Sequence, residues 1–337
     1  MGSVIPLKKE IDNSYLRLKN LVSGKLDDVT QRIKYKLASE INLIHKMTDY
    51  HVKSGGKRIR PLLTLVSAKL CGYKNGSRDV NLAACIELIH NATLLHDDVI
   101  DNSNLRRGIK TANSLWGNQS SILVGDYLFS RCFEMMVEDG SQEILKLLSS
   151  TSSRIAQGEV LQLEHRGEVD LLEETYFNII SMKTAELFAA ATKVGACLGE
   201  RSKKEKDALE SYGKNLGLAF QIADDALDYF SSSTIFGKEI GKDFYEGKTT
   251  LPLIIIFQRA NLEERSFLEE IFKKKKRTEE DFTETLALIN KYKAVESSFK
   301  RAEYFVNVSH DALGIFHHSE EKKVLQNLTE FSLNRSF

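Results

Sequence analysis

The stretch Leu94-Leu95-His96-Asp97-Asp98-Val99-Ile100-Asp101 places three carboxylates at the end of a largely apolar run that starts at Ile86. On a helix, residues four apart share a face, so Asp97 and Asp101 project together with Asp98 beside them. Three anions this close repel one another, and a helix gains no stability from such a cluster. A bound cation would offset the repulsion, and Mg²⁺ fits because it prefers oxygen ligands.

A second acidic cluster repeats this spacing. The segment Asp224-Asp225-Ala226-Leu227-Asp228 also follows a largely apolar run, from Leu216 to Ala223. A single cluster of this kind is often a solvated helix face. Two copies, each at the end of an apolar and therefore buried helix, are poorly explained in that way. We therefore expect two facing helices that carry metal-binding carboxylates.

Helical spacing of apolar residues fills the rest of the chain, whereas strand-like alternation is almost absent. The sequence predicts an all-α protein, a bundle whose central helices are hydrophobic nearly all round. No change of composition marks a boundary, so we expect one domain over residues 1–337. The expected long helices cover 80–101, 120–138, 144–168, 173–198 and 207–230, and two or three amphipathic helices cover 279–333.

Composition excludes several functional classes. Forty-seven acidic residues balance 47 basic ones, which argues against general nucleic-acid binding. The four cysteines form no Cys-x-x-Cys pair and lie in apolar surroundings, so we expect buried, reduced thiols. No apolar run approaches about 18 residues, so we expect neither a signal peptide nor a membrane span, and a soluble cytoplasmic protein.

Cationic residues flank both acidic clusters. They are Arg106 and Arg107 after the first cluster, Lys238, Lys242 and Lys248 after the second, Lys183 between them, and Lys57, Arg58 and Arg60 upstream. Carboxylates, metal ions and several cations together suit a diphosphate group. A kinase or ATPase is disfavoured because a Walker-type loop is absent. Acids on two buried helices with an apolar interior indicate a hydrophobic substrate tail that carries a diphosphate head.

These motifs together resemble those of the trans-prenyltransferases, in the long-chain polyprenyl diphosphate synthase branch. The two Asp-Asp-x-x-Asp segments are similar to the first and second aspartate-rich motifs of that family. The supporting matches are Gly55-Gly56-Lys57-Arg58-Ile59-Arg60-Pro61, Arg106-Arg107-Gly108, Gly125-Asp126, Lys183-Thr184, Phe220-Gln221 and Gly241-Lys242-Asp243. The resemblance implies the isoprenoid synthase fold, a bundle of long helices around a central cavity.

The resemblance also implies a set of functional residues. Three Mg²⁺ ions would bind between Asp97, Asp101 and Asp224, with Asp98, Asp225 and Asp228 in support. The allylic diphosphate would contact these ions together with Arg106, Lys183, Lys238 and Lys248. Isopentenyl diphosphate would occupy a metal-free basic pocket made by Gly56, Lys57, Arg60, His90 and Arg107. Loss of diphosphate would leave an allylic cation near Thr184 and Gln221, which the isopentenyl double bond attacks.

Product length is predicted from residues beside the first cluster. Ala92 and Thr93 stand five and four positions before Asp97, and small residues there permit elongation in the family. We expect a long all-trans product, octaprenyl to decaprenyl (about C40–C50), for quinone side chains such as that of ubiquinone. The floor of the product tunnel would come from another helix, and its candidates are Phe129, Phe133 and Met136. The family also implies a homodimer.

Several alternatives stay open. A farnesyl or geranylgeranyl synthase has the same motifs but makes a shorter product. A non-catalytic subunit of a heteromeric synthase tends to lose an aspartate motif, and both are intact here. A terpene cyclase usually lacks the isopentenyl pocket, and a calcium-binding scaffold would need an Asp-x-Asp-x-Asp-Gly loop, which is missing. His96 is interpreted as structural, whereas Asp126 either makes a buried polar hydrogen bond or supports the metal ligands.

Overall fold

Helices make up most of the described chain, which covers residues 15–53, 55–74, 76–106, 108–230 and 240–333 of a computed structural model. The α-helices are α1 (Ser23–Lys36), α2 (Asn42–Lys53), α3 (Ile59–Leu70), α4 (Arg78–Ile100), α5 (Ala112–Trp116), α6 (Asn118–Asp139), α7 (Gln142–Glu164), α8 (Glu173–Ile180), α9 (Glu186–Leu198), α10 (Lys203–Leu227), α11 (Lys242–Glu246), α12 (Leu251–Arg259), α13 (Leu262–Lys273), α14 (Glu279–Lys291), α15 (Ala294–Ala312) and α16 (Glu320–Leu333). The all-α prediction is confirmed.

Two short elements interrupt this pattern. Strands β1 (Leu105–Arg106) and β2 (Ile109–Lys110) form a small antiparallel hairpin in the loop that follows α4. The helix predicted over 173–198 is broken by a π-helical turn, Ser181–Ala185, between α8 and α9. Such turns have wider hydrogen-bonding loops and are frequent at functional sites. The apolar spacing of the sequence did not predict this break.

The two helices that carry the acidic clusters lie at the centre of the bundle. Helix α4 packs against α1, α3, α6 and α9, and its residues from Leu82 to Ile89 are buried on every side. Helix α10 packs against α9 and α15. At Gly213 of α10, an added Cβ would lie 2.4 Å from the carbonyl oxygen of Phe188, so glycine is needed for the close approach of α9. Helix α9 therefore ties the two acidic helices together.

Buried apolar side chains form two clusters that meet along α10. The first includes Leu209, Tyr212 and Leu216, and the second includes Leu218 and Ile222. A sequence hydrophobic nearly all round therefore produces a helix with core on both sides. The four cysteines carry free thiols, as predicted, and three of them are buried. Within the described residues, no helix combines the length and apolar character needed to cross a bilayer.

Candidate active site

The first acidic cluster divides into two differently placed parts. Asp97 and Asp101 are half-buried on the same stripe of α4 as Thr93, whereas Asp98 is only 3% exposed. Oδ1 of Asp98 accepts hydrogen bonds from Nε and Nη2 of Arg106, at 2.9 and 2.8 Å. Asp98 and Arg106 therefore tie the hairpin to α4, while Asp97 and Asp101 face the site.

Asp101 is held by two cations. Nζ of Lys248 donates to Oδ2 at 2.7 Å, and Nη2 of Arg166 donates to Oδ1 at 3.0 Å. Burial alone would raise the pKa of Asp101, but Lys248, Lys183 and Arg166 outweigh it, so the net pKa is lowered. Arg166 was not predicted from the sequence, because it lies beyond the end of α7 in a loop without a motif.

Lys183 projects from the π-helical turn toward the first cluster. Its Nζ donates to Oε2 of Glu159 at 2.7 Å and to Oε1 of Gln162 at 2.9 Å, and it lies 3.9 Å from Oδ2 of Asp97. Burial raises the pKa of Glu159 to about 7, with Lys183 opposing this shift and Asp97 adding to it. Glu159 and Gln162 were missed by the sequence analysis. The available signal was a carboxylate and an amide three residues apart on an otherwise partly apolar helix.

Thr184, the neighbour of Lys183, connects to the second acidic cluster. Its hydroxyl donates to Oε1 of Gln221 at 2.8 Å, and Nε2 of Gln221 donates to Oδ1 of Asp225 at 2.7 Å. The hydroxyl of Tyr176 donates to Oδ2 of Asp225 at 2.7 Å. Both oxygens of Asp225 are thus engaged. Burial, followed by the charge of Asp243, raises the pKa of Asp225 well above its usual range.

Asp224 and Asp228 are the half-buried members of the second cluster. The carboxylate of Asp228 accepts the backbone N–H groups of Lys242 and Asp243, at 3.2 and 2.8 Å, where α11 begins. Burial and the charge of Asp243 raise the pKa of Asp228 to about 7, although these hydrogen bonds oppose the shift. Burial likewise raises the pKa of Asp243 to about 6. Lys248 follows closely, which connects this segment to Asp101 of the first cluster.

The donor set fits a divalent cation. Among the described residues, no group of three or more His, Cys, Asp or Glu side chains is arranged to hold a metal ion by itself. Burial is the main cause of the raised pKa values of Asp228 and Asp243, and the charge of Asp243 adds to the shift of Asp228, so a bound cation would stabilise the ionised carboxylates. Carboxylate oxygens are the ligands that Mg²⁺ prefers, so Asp97, Asp101, Asp224 and Asp228 would be the residues to hold such an ion.

The predicted isopentenyl pocket is only partly described. Gly56 and Lys57 precede α3, and Arg60 lies in its first turn, with the guanidinium 4.5 Å from the ring centroid of Phe188. His90 is half-buried on α4, which packs against α3. Two other predicted diphosphate ligands, Arg107 and Lys238, lie outside the described residues.

The residues predicted to set product length are placed differently from one another. Thr93 shares the stripe of Asp97 and Asp101, whereas Ala92 is completely buried. Phe133 is 48% exposed on α6, so it does not close an interior tunnel within the single chain. Met136 on the same helix is buried.

His96 points away from the acidic stripe and packs against α6. An added Cβ at Gly125 would lie 2.2 Å from Nε2 of His96, so glycine leaves room for the imidazole. Asp126 is 62% exposed, and its Oδ1 lies 3.4 Å from this same nitrogen. The alternative of a buried polar hydrogen bond for Asp126 is therefore wrong, because helix α6 turns this residue toward solvent.

One cavity brings together part of the site, although Asp97, Asp101, Asp224 and Asp228 are not among its lining residues. Its lining includes Lys183, Thr184, Gln221, Asp225, Asp243 and Lys248. Lys183 and Thr184 are adjacent in sequence yet contact side chains of α7 and α10 respectively. The π-helical turn thus brings cationic, hydroxyl and carboxylate groups from separate helices together.

Comparison with known proteins identifies relatives over most of the chain. Residues 41–289 match a family model described as polyprenyl synthetase. The chain is 35% identical to the octaprenyl diphosphate synthase of Haemophilus influenzae, over 98% of this chain and 100% of that protein. It is 36% identical to a short chain isoprenyl diphosphate synthase of Methanothermobacter thermautotrophicus, over 86% of this chain and 90% of that protein.

A solved structure shares the fold as well. The polyprenyl synthase of Caulobacter crescentus, complexed with calcium and isoprenyl diphosphate, is 40% identical, with a TM-score of 0.91 over 96% of this chain and 98% of that one. The predicted fold, an all-α bundle of the isoprenyl synthase type, is confirmed by this likeness.

Proposed function

The chain belongs to the polyprenyl synthetase family and is a prenyltransferase, and we propose that it builds a long all-trans polyprenyl diphosphate, octaprenyl to decaprenyl. Isopentenyl diphosphate units would be added head-to-tail to an allylic diphosphate. The observation that carries the proposal is the π-helical turn, where Lys183 lies 3.9 Å from the first acidic cluster and Thr184 bonds to Gln221 beside the second.

The allylic diphosphate would bind between the two acidic stripes. Asp97, Asp101 and Asp224 would hold Mg²⁺, three ions in all, and Asp228 would support them. Mg²⁺, when bound, would supply positive charge to the leaving diphosphate oxygens. Asp98 and Asp225 would act indirectly, because both are almost fully buried, with Asp98 bonded to Arg106 and Asp225 bonded to Tyr176 and Gln221.

Cationic side chains would neutralise the rest of the diphosphate charge. Lys183 and Lys248 already lie beside Asp97 and Asp101, and Arg106 is tied to Asp98. A nearby phosphate group would recruit these side chains by charge-assisted hydrogen bonds. Lys238 is proposed as a further ligand from its position after the second cluster.

The allylic cation would form next to Thr184 and Gln221. The amide nitrogen of Gln221 faces Asp225, which directs its Oε1 toward the hydroxyl of Thr184. The remaining lone pairs of these two oxygens can stabilise positive charge, because the dipoles are fixed before the reaction. The isopentenyl double bond would attack the cation, and the departed diphosphate would remove the proton.

Isopentenyl diphosphate would bind without metal in a second, basic pocket. Gly56 and Lys57 precede α3, Arg60 lies in its first turn, and His90 lies on the neighbouring helix α4. Arg107 completes the proposed set. Two neighbouring diphosphate sites, one with metal and one without, would let the enzyme ionise only the allylic substrate.

The chain-length proposal is supported by the small side chains of Ala92 and Thr93 and by the octaprenyl relative. The proposed product would serve as a quinone side chain, made in the cytoplasm. A shorter-chain synthase is the second candidate function, because a short chain isoprenyl diphosphate synthase is 36% identical in sequence.

A homodimer is proposed from an exposed apolar stripe on α6. Leu123, Phe133 and Val137 are 67%, 48% and 66% exposed and recur at helical spacing along one side of that helix. Helix α7 also exposes Val160 and Leu163. A second copy of the chain would bury this stripe and would cover Phe133, which could then form the tunnel floor.

The test is incubation of purified protein with Mg²⁺, farnesyl diphosphate and radiolabelled isopentenyl diphosphate, followed by product sizing. We expect octaprenyl to decaprenyl products. A product of four isoprene units, or a product that stops at three units when geranyl diphosphate replaces farnesyl diphosphate as the primer, would replace the long-chain proposal with the shorter-chain one. Loss of farnesyl diphosphate without isopentenyl incorporation would indicate a cyclase, and no turnover would indicate a non-catalytic subunit.

A further inference from the structure

We propose that Glu159 is a positioning residue that holds Lys183 away from Asp97 and so keeps the Asp97 carboxylate open for a divalent cation. This inference rests on the proposed function, since it assigns a role in assembling the same metal site. Glu159 itself is not proposed to touch metal or substrate. Its partner Lys183 is the group through which it acts.

The Lys183 ammonium lies closer to Glu159 than to Asp97. Its Nζ is 2.7 Å from Oε2 of Glu159 and 2.9 Å from Oε1 of Gln162, but 3.9 Å from Oδ2 of Asp97. The first two are hydrogen bonds, whereas the third is too long to be one. The ammonium is therefore held by helix α7, although a carboxylate of α4 lies only slightly farther away.

The backbone fixes this arrangement. An added Cβ at Gly158 would lie 2.8 Å from the backbone nitrogen of Lys183, so α7 and the π-helical turn are in direct contact. Glu159 follows Gly158 and is 17% exposed, which limits solvent screening of its charge. The other carboxylate oxygen, Oε1, is buried without a hydrogen-bond partner among the described residues. The Glu159 carboxylate therefore binds Lys183 through one oxygen, Oε2.

Asp97 differs from its neighbours in the first cluster. Asp98 is bonded to Arg106, and both oxygens of Asp101 are bonded to cations. Among the described residues, Asp97 accepts no hydrogen bond from a cationic side chain. If the charge of Glu159 were removed, Asp97 would be the carboxylate within 4 Å of the Lys183 ammonium, and the ammonium would compete there with a metal ion.

The test compares Glu159→Gln with the unmodified enzyme at pH 8, where the Glu159 carboxylate is ionised although burial raises its pKa to about 7. Mn²⁺ binding is measured by electron paramagnetic resonance, with a non-ionisable thiolodiphosphate analogue of the allylic substrate present. We expect the Mn²⁺ dissociation constant to rise about three- to tenfold, because the Lys183–Glu159 ion pair would be replaced by a Lys183–Asp97 pair that competes with the metal ion. Glu164→Gln, at an exposed position five residues along α7, is the matched control and should leave the constant unchanged.

A second background separates positioning from general damage. In Lys183→Met, the ammonium is absent, so adding Glu159→Gln should change Mn²⁺ affinity by less than about twofold. Far-UV circular dichroism and the unfolding temperature verify that each variant folds. Equal Mn²⁺ affinity in Glu159→Gln and the unmodified enzyme, or an equal loss with and without Lys183, would overturn the inference. Absence of Mn²⁺ binding by the unmodified enzyme would instead refute the proposed function beneath it.

Discussion

Residues with the same chemical type have different roles in the two acidic clusters. Asp98 and Asp225 are almost fully buried and are engaged by Arg106 and by Gln221, whereas Asp97 is half-buried and open toward Lys183. In each Asp-Asp-x-x-Asp motif, the first and third carboxylates are half-buried, whereas the second carboxylate points into the protein. Helical geometry accounts for this, since adjacent residues lie about 100° apart around the axis.

Asp97→Ala should abolish most turnover while leaving the fold intact. The substitution removes an oxygen donor from the proposed metal site, and loss of one group that stabilises developing charge costs about 10²–10³-fold in kcat. Product formation from isopentenyl diphosphate measures the effect, and far-UV circular dichroism controls for folding. Turnover within about threefold of the unmodified enzyme would remove Asp97 from the metal site.

Sequence reasoning reached the residues that belong to recurring spacings and missed those that depend on packing. The two acidic clusters and Lys183 were evident because their charges interrupt apolar runs, whereas Thr184 was predicted from the family resemblance. Glu159 and Tyr176 were not, because their importance arises only when α7 and α8 meet the π-helical turn and α10. The spacing of apolar residues along the sequence does not predict these contacts between helices.

At the scale of elements, α4 was predicted well because its apolar residues continue all round the helix. Its bounds, Arg78–Ile100, lie within two residues of the expected range 80–101. The break between α8 and α9 was not predicted, since a π-helical turn inserts no glycine or proline. Local backbone geometry of this kind is set by tertiary contacts, here with Gly158 of α7.

Thr93→Phe should shorten the product. Thr93 lies one helical turn before Asp97 on the half-buried stripe of α4, so a phenyl ring there would block a chain that grows along this helix. Thin-layer sizing of the dephosphorylated product measures chain length. Thr93→Ser, which keeps a small side chain, is the control and should retain the long product. The same product from both variants would refute the tunnel assignment on this face.

The companion substitution Ala92→Phe tests the buried side of the same helix. Because Ala92 is completely buried, a larger residue would overpack the core and cost about 1–3 kcal/mol in stability. Its unfolding temperature should therefore be measured alongside its product length. A shortened product with little loss of stability would show that the tunnel reaches Ala92.

Glu264→Gln should reduce stability in a pH-dependent way. In the N-terminal capping box of α13, Glu264 accepts hydrogen bonds from Lys291, Tyr292 and the backbone of Asn261, in that order of effect, which lower its pKa to about 2. A lowered folded-state pKa stabilises the protein above the unfolded-state value of about 4.5, and this contribution is lost as pH falls toward 2. The variant should therefore unfold earlier at pH 7, with a difference that narrows below about pH 4.5.

Thermal unfolding followed by circular dichroism between pH 7 and pH 3 measures this difference. We expect about one or two degrees at pH 7, as a small change in a large domain. Glu263→Gln, at the exposed neighbouring position in the same first turn, is the control. A difference between Glu264→Gln and the unmodified protein that stays constant with pH would contradict the assignment.

At the scale of the whole molecule, the described chain has two hydrophobic clusters that share α10, and one domain over residues 1–337 stays a prediction. The same helix carries the second acidic cluster, so the site is built where the core is most continuous. Sequence patterns predict that α10 is buried, but they do not predict which apolar residues elsewhere remain exposed to solvent. Phe133 illustrates the point, because it was expected inside and is 48% exposed.

Val137→Glu should convert the proposed homodimer to a monomer. Val137 is 66% exposed on the α6 stripe, so a charge is tolerated in the single chain but would be buried without a partner in the dimer. Size-exclusion chromatography with light scattering should show a mass near 76 kDa for the unmodified protein, twice the 38.1 kDa of one chain, and about half that mass for the variant. Lys146→Glu, at an exposed site on α7, changes charge outside the stripe and should leave the mass unchanged. If Val137→Glu kept the dimer mass, this stripe would not be the interface, and Phe133 would lose its proposed cover.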